Sequence, residues 1–155
     1  VSSVTQALDP ASLPRVVCIE WTSPLMTAGN WTPELLELVG SQCGLASKGE
    51  HSRYVSWQQI IDFNPQVLLV APCGFDLRRS QREALILPTL PHWDAIAAVQ
   101  AGRIFVLDGN AFLNRSGPRI VDSIELLAHL LHPSHISLAA DHLAEGIAWS
   151  RLDIR

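Results

Sequence analysis

Three short apolar runs constrain this chain more than anything else in it: Arg15-Val16-Val17-Cys18-Ile19, Val67-Leu68-Leu69-Val70-Ala71 and Arg103-Ile104-Phe105-Val106-Leu107. None of them alternates with polar residues. Each therefore predicts a strand buried on both faces, and such strands belong to parallel sheets covered by helices. The runs are strand-sized, far short of the roughly 18 apolar residues a membrane-spanning helix needs. Helix-period segments fill the intervals. Thr32 caps a helix with Pro33 at its first position and Glu34 in its first turn; Leu35, Leu38, Val39 and Gln42 follow one face, and Gly44 supplies a left-handed stop. Ser56-Trp57-Gln58-Gln59 reads as a capping box for a short helix through Ile60, Ile61 and Phe63 that stops before Asn64-Pro65. An arginine-rich helix is predicted over Asp76–Leu85, and another over Trp93–Val99 closed by Gly102. Gly117-Pro118 opens the last strong helix, with Ile120, Ile124, Leu127 and Leu131 on one face and Pro133 at its end. Residues 136–149 predict one further amphipathic helix.

The sum is an α/β domain of three layers, a mainly parallel sheet flanked by helices. A chain of 155 residues sets an expectation of one domain. Residues 1–14 are polar and proline-bounded and read as a linker, 15–133 as the α/β core, and 134–155 as a helical extension of the same domain. Charged residues make up 17% of the chain against about 25% in an average soluble domain, so part of the surface is expected to be covered by another domain, a partner or a ligand. The net charge of -4, with no basic cluster beyond Arg78 and Arg79, argues against a nucleic-acid partner. Cys18, Cys43 and Cys73 form an odd set without C-x-x-C spacing, which fits small buried residues better than a zinc site or a disulfide framework. The sequence shows no basic, apolar and cleavage-site succession at its start, and reads as a mature product or a cut piece.

In sheets of this kind ligands gather at the carboxyl ends of the strands. Three segments occupy those ends: 20–31, 72–79 and 108–117. The first carries Trp21, Leu25, Met26 and Trp31, which either floor a pocket for a broad ring or pack back onto the core. The second sets Phe75 beside Arg78 and Arg79, a contact for an anionic or amide-bearing ligand or simply a solvated helix face. The third combines Phe112, Asn114 and Arg115 just before a helix N-terminus. Phosphate-cradling and nucleophile-elbow motifs are missing, so no catalytic residue is predicted. His129, His132 and His135 lie at steps of three, but Pro133 breaks the geometry and no acid joins them; helix-end carbonyls are their expected partners, and no metal is predicted. His51 and His92 read as isolated loop residues.

At these same loops the chain resembles a known family. R-V-V-C-I-E-W-T-S-P-L-M-T-A-G-N-W-T-P-E-L at 15–35, D-F-N-P-Q-V-L-L-V-A-P-C-G-F at 62–75 and G-R-I-F-V-L-D-G-N-A-F-L-N-R-S-G-P-R-I-V-D-S-I-E-L-L-A-H-L-L-H-P at 102–133 resemble the C-terminal half of cobalamin-type substrate-binding proteins of ABC importers. These are bilobal, class III proteins of the iron-siderophore and cobalamin class, with two α/β lobes joined by a long helix and the ligand held between them. The resemblance implies a C-terminal lobe that works with an N-terminal lobe outside this sequence, with residues 1–14 as the remnant of the joining segment. It implies a periplasmic or extracytoplasmic location, cobalamin or a related corrinoid as transported ligand, an ABC permease as partner, and no resident cofactor. The matched positions are Trp21, Pro24 and Trp31 in the first loop, Phe75 in the second, and Phe112, Asn114 and Arg115 in the third. Phe112 falls where a relative sets a tryptophan against the corrin, and Asn114 where that relative has a glutamate that pairs with a permease arginine. The same fold serves iron-siderophore and haem importers, so another large chelate is the alternative ligand. A stand-alone interaction domain without ligand is the third reading, and an exposed cleft or linker face can pair two copies.

Overall fold

The computed structural model describes residues 12–115 and 117–152; the expected linker remnant over 1–11 lies outside them, as do Ser116 and 153–155. The three apolar runs become β1 (Arg15–Thr22), β5 (Val67–Val70) and β6 (Ile104–Leu107), paired in parallel in that order. Shorter strands complete a seven-stranded mixed sheet. β2 (Leu25–Thr27) runs antiparallel to the end of β1, β4 (Arg53–Tyr54) is antiparallel to β2, and β3 (Gln42–Cys43) is parallel to the start of β1. β7 (Trp149–Arg151) closes the far edge antiparallel to β6.

Strand alternation sorts the core into two layers. Val16, Cys18, Val67, Leu69, Phe105 and Leu107 point to one face, where α1 (Thr32–Leu38) and α6 (Ile120–Leu131) cover them with Leu35, Leu36, Leu126, Leu127 and Leu130. Val17, Ile19, Leu68, Val70, Ile104 and Val106 point to the other, under Ile60 of α2 (Trp57–Phe63), Ala84 of α3 (Leu77–Ala84) and Ala98 of α4 (Ala97–Gln100). The expected three layers are therefore present, with the central strands buried from both sides. The capping box forms as expected: Gln59 N–H bonds Ser56 Oγ while Ser56 N–H bonds the Gln59 side chain. Among the described residues no helix is long and apolar enough to cross a membrane.

Four local expectations are corrected. The helix opening at Thr32 has Trp31, not Thr32, at its cap position and ends at Leu38; Gly40, at φ +78°, supplies the left-handed turn instead of Gly44. Gln42 then joins a strand, and Leu36 takes the buried place expected of Leu38, which is exposed. Residues 20–27 form a hairpin arm rather than a loop, since pairing to β2 prolongs β1, and only 28–31 remain a loop. The 93–99 segment splits into a 3-10 turn (Trp93–Ala95) and α4. Last, 136–149 is no helix: one 3-10 turn (Asp141–Leu143) leads into β7, because the carbonyls and edge of β6 offer ladder bonds that a surface helix cannot use. Two of the three helix-end histidines meet carbonyls, across the fold as well as along it, while His135 Nδ1 meets Ser134 Oγ at 2.9 Å. His132 Nε2 faces the oxygens of Val39 (2.9 Å) and Gly40 (3.0 Å) at the end of α1, and His129 Nδ1 faces that of Ile136 at 2.7 Å.

The cysteines are free. Cys18 is buried, which drives its thiol well up, with Cys43 and Glu20 adding to the effect. Burial and then the Glu37 charge push Cys43 up to about 11, and partial burial followed by Glu20 raises the exposed Cys73. The folded thiols thus keep protons that the unfolded chain releases above the ordinary value of 9.0. The unfolded state then binds fewer protons, so stability falls as pH rises through 9.0 and on towards 11. Urea midpoints at pH 7 and pH 10 check this, with the drop shrinking in Cys43→Ala. At pH 8, iodoacetamide is expected to label Cys73 slowly and the other two only after unfolding.

Candidate binding wall at the strand ends

All three loop segments singled out in the sequence gather at the carboxyl ends of β1, β5 and β6, and hydrogen bonds brace them against one another. Cys73 N–H donates to Glu20 O (3.1 Å), Asn110 N–H to Phe75 O (3.1 Å), and Trp31 Nε1–H to Leu113 O (2.9 Å). Each bond joins two different segments, so the wall is held by the chain itself. The third segment owes its shape to α5 (Gly109–Phe112), a short helix whose N-cap Asp108 accepts from Ala111 N–H. That helix was not expected from the sequence; Asp108-Gly109-Asn110-Ala111 does carry the acidic N-cap that signals one.

The expected site residues separate into three groups. Trp21 and Phe75 meet, with ring centroids 5.3 Å apart and planes tilted by 49°, and the Arg79 guanidinium carbon sits 3.5 Å over the Phe75 ring. Both rings are half-buried and form an aromatic ledge. Pro24 is exposed at the tip of the β1–β2 hairpin beyond this ledge. Trp31 packs partly into the core and is fixed by its bond to Leu113, so one tryptophan serves the surface and the other the interior.

Phe112 departs from the ring-stacking role. It is 7% exposed and packs into the core, because α5 turns that position inward against α6, where Ser123 Oγ–H donates to the Phe112 carbonyl. Asn114 points inward too: its Oδ1 is buried and has no hydrogen-bond partner, which does not suit a permease-facing contact. Arg115 is exposed and, with Asn110 and Arg119, lines an open depression of about 360 Å³ beside the start of α6. A smaller recess of about 130 Å³ lies between the first and third segments, lined by Glu20, Asn30, Trp31, Thr32, Cys73 and Asn114 among others. Glu20, the first residue of segment 20–31, and Ser52, whose hydroxyl donates to Glu20 Oε2, are not among the expected binding residues. Their meeting depends on strand pairing, which leaves no mark on spacing. Among the described residues no cluster of His, Cys, Asp and Glu can hold a metal ion. Aromatic faces, amides and guanidinium groups, with the carboxylate of Glu20 and the thiol of Cys73 in the recess, are the chemistry present here.

No protein-family model matches the chain, and no curated protein matches it in sequence. Solved structures do match in fold. A periplasmic heme binding protein from Pseudomonas aeruginosa superposes with a TM-score of 0.72 at 20% identity, over 99% of this chain and 52% of its own. An ABC transporter substrate-binding protein from Listeria monocytogenes gives 0.71 at 16%, over 85% and 51%. The periplasmic vitamin B12 binding protein BtuF of Vibrio cholerae gives 0.60 at 23%, over 81% and 48%. The chain spans about half the length of these structures. What they share with it is the fold, an α/β arrangement that corresponds to about half of each of those chains.

Proposed function

We propose that this chain is one wall of the ligand cleft of an ABC importer's substrate-binding protein, and that it captures cobalamin or a related corrinoid for delivery to the permease. The observation that carries the reading is the braced strand-end wall, with its aromatic ledge of Trp21 and Phe75. Capture needs shape, stacking and hydrogen bonds, with no bond made or broken, and the location is extracytoplasmic. Ledge and recess hold the ligand, Pro24 and Arg115 border it, and residues 15–152 act as one lobe. Phe112 acts by supporting the wall from behind, and Asn114 lines the recess with its Oδ1 turned inward. Fold likeness to vitamin B12 and heme binding proteins supports the solute-binding part of the reading and leaves both ligand classes in play.

A second reading has its own observation. Arg79, Arg115 and Arg119 stand around the wall and suit a carboxylate-bearing chelate such as haem or an iron-siderophore. Calorimetric titration of cyanocobalamin and, in parallel, haemin decides between them, using this chain and any longer product of the same gene. A two-walled form is expected to bind cyanocobalamin one to one, and this chain alone about a hundredfold more weakly or less, since half of the buried ligand surface is lost. Binding of haemin alone would overturn the corrinoid reading; binding of neither would leave an interaction domain, with pairing of two copies as its first test.

A further inference from the structure

Within the wall, the recess of about 130 Å³ has a narrower chemistry than its surroundings. Glu20 reaches it through an irregularity in the sheet. Ile19 pairs with Thr27 and Trp21 with Met26, so Glu20 is an extra residue with no partner on β2. Such a bulge re-aims a side chain that strict alternation would send elsewhere. Gly29 lets the 50–52 segment approach, since a Cβ there would lie 2.5 Å from Ser52 N and from Glu50 O. Its N–H then donates to Ser52 Oγ at 3.1 Å, and Ser52 donates in turn to Glu20 Oε2. Cys73 lines the same recess, where partial burial and then the Glu20 charge raise its thiol pKa.

The charge balance of the recess is one-sided. None of its lining residues is cationic, and among the described residues none of the ion pairs involves Glu20. A carboxylate offers about four lone-pair directions, of which Ser52 occupies one. The recess supplies no cation for the remaining lone pairs of Glu20, so a group that completes it brings N–H donors. A flat primary carboxamide brings two on one nitrogen and is small enough to enter. A carboxylate in the same place brings only acceptors and a charge of the same sign as Glu20.

We infer that the recess lined by Glu20, Cys73 and Asn114, with Ser52 holding Glu20, is a specificity subsite that accepts an uncharged carboxamide of the ligand and rejects a carboxylate in its place. This rests on the corrinoid reading, whose ligand is rich in such amides, and it sets the centre of the wall against carboxylate-bearing chelates even though arginines stand around it.

The test titrates cyanocobalamin and its monocarboxylic acids, each with a single peripheral amide hydrolysed, into the wild type, Glu20→Gln and Ser52→Ala. In the wild type at least one monoacid isomer is expected to bind about tenfold more weakly than cyanocobalamin. Glu20→Gln removes the charge and keeps the shape, so the deficit for that isomer closes to about threefold or less. Ser52→Ala keeps the charge and should keep the deficit. Equal binding of every monoacid by the wild type, or a deficit unchanged in Glu20→Gln, would overturn the subsite while leaving the corrinoid reading standing. No binding of cyanocobalamin by the wild type overturns that reading and the subsite with it.

Discussion

Trp149→Ala is expected to lose about 4 kcal/mol of stability, a large share of what a domain of this size has to spare. Trp149 is 5% exposed on β7, opposite Leu107 of β6. Its ring meets Phe105 edge-on at 5.5 Å, lies 6.2 Å from the His129 ring, and donates Nε1–H to Leu143 O at 3.1 Å. One side chain thus ties the closing strand, the 3-10 turn before it and the last helix to the sheet. Truncation removes the ring's buried area, opens a cavity and strips the partner from a buried carbonyl. Trp149→Phe keeps most of the area and loses the bond, so about 1 to 2 kcal/mol is expected. Urea denaturation followed by far-ultraviolet circular dichroism measures both. A loss below about 1 kcal/mol for the alanine variant would mean that β7 docks on a core already complete without it.

That strand is also where sequence reading failed, and the reason is physical. Ile136, Leu138, Ala140, Leu143 and Ala148 are spaced closely enough to resemble a helix face, and all pack on the core, but along an irregular path that ends in a strand. A three-residue edge strand has too few residues to show alternation, and its partner lies over forty positions away, at Phe105–Leu107. The central strands were legible for the opposite reason: burial on both faces demands an unbroken apolar run, and that demand is local. Ser56 and Gln59 were legible because both halves of a capping box lie within four residues. The binding wall falls between these cases. Spacing located its segments, and loop composition flagged Trp21 and Phe75, whose rings do meet. The direction of Phe112 and Asn114 depends on α5 and α6 packing together, and the place of Glu20 on a bulge that only strand pairing creates. The resemblance supplied candidate positions; it did not supply orientations.

Gly109→Ala is expected to cost about 2 to 3 kcal/mol and to weaken ligand binding in the same variant. Gly109 opens α5 directly behind the wall, where a Cβ would fall 2.4 Å from Pro72 O, 2.5 Å from Asn114 Oδ1 and 2.9 Å from the Ala71 carbonyl carbon. Two of those atoms are backbone at the end of β5, buried and unable to swing away, so relief requires α5 and the 72–75 segment to part. That movement strains the Asn110-to-Phe75 hydrogen bond and displaces the amide of Asn114 from the recess. Gly117→Ala is the matched control, because a Cβ there meets nothing within 4 Å. Denaturation midpoints and ligand affinity measured on both variants separate two pictures of the wall. Loss of both properties in Gly109→Ala, with neither changed in Gly117→Ala, means that the strand-end segments are rigid and the cleft surface is built during folding. Wild-type stability in Gly109→Ala would mean that these segments yield easily, and the ligand itself would then have to order the wall, at a cost in affinity of about 0.5 to 1.5 kcal/mol for each side chain it immobilises.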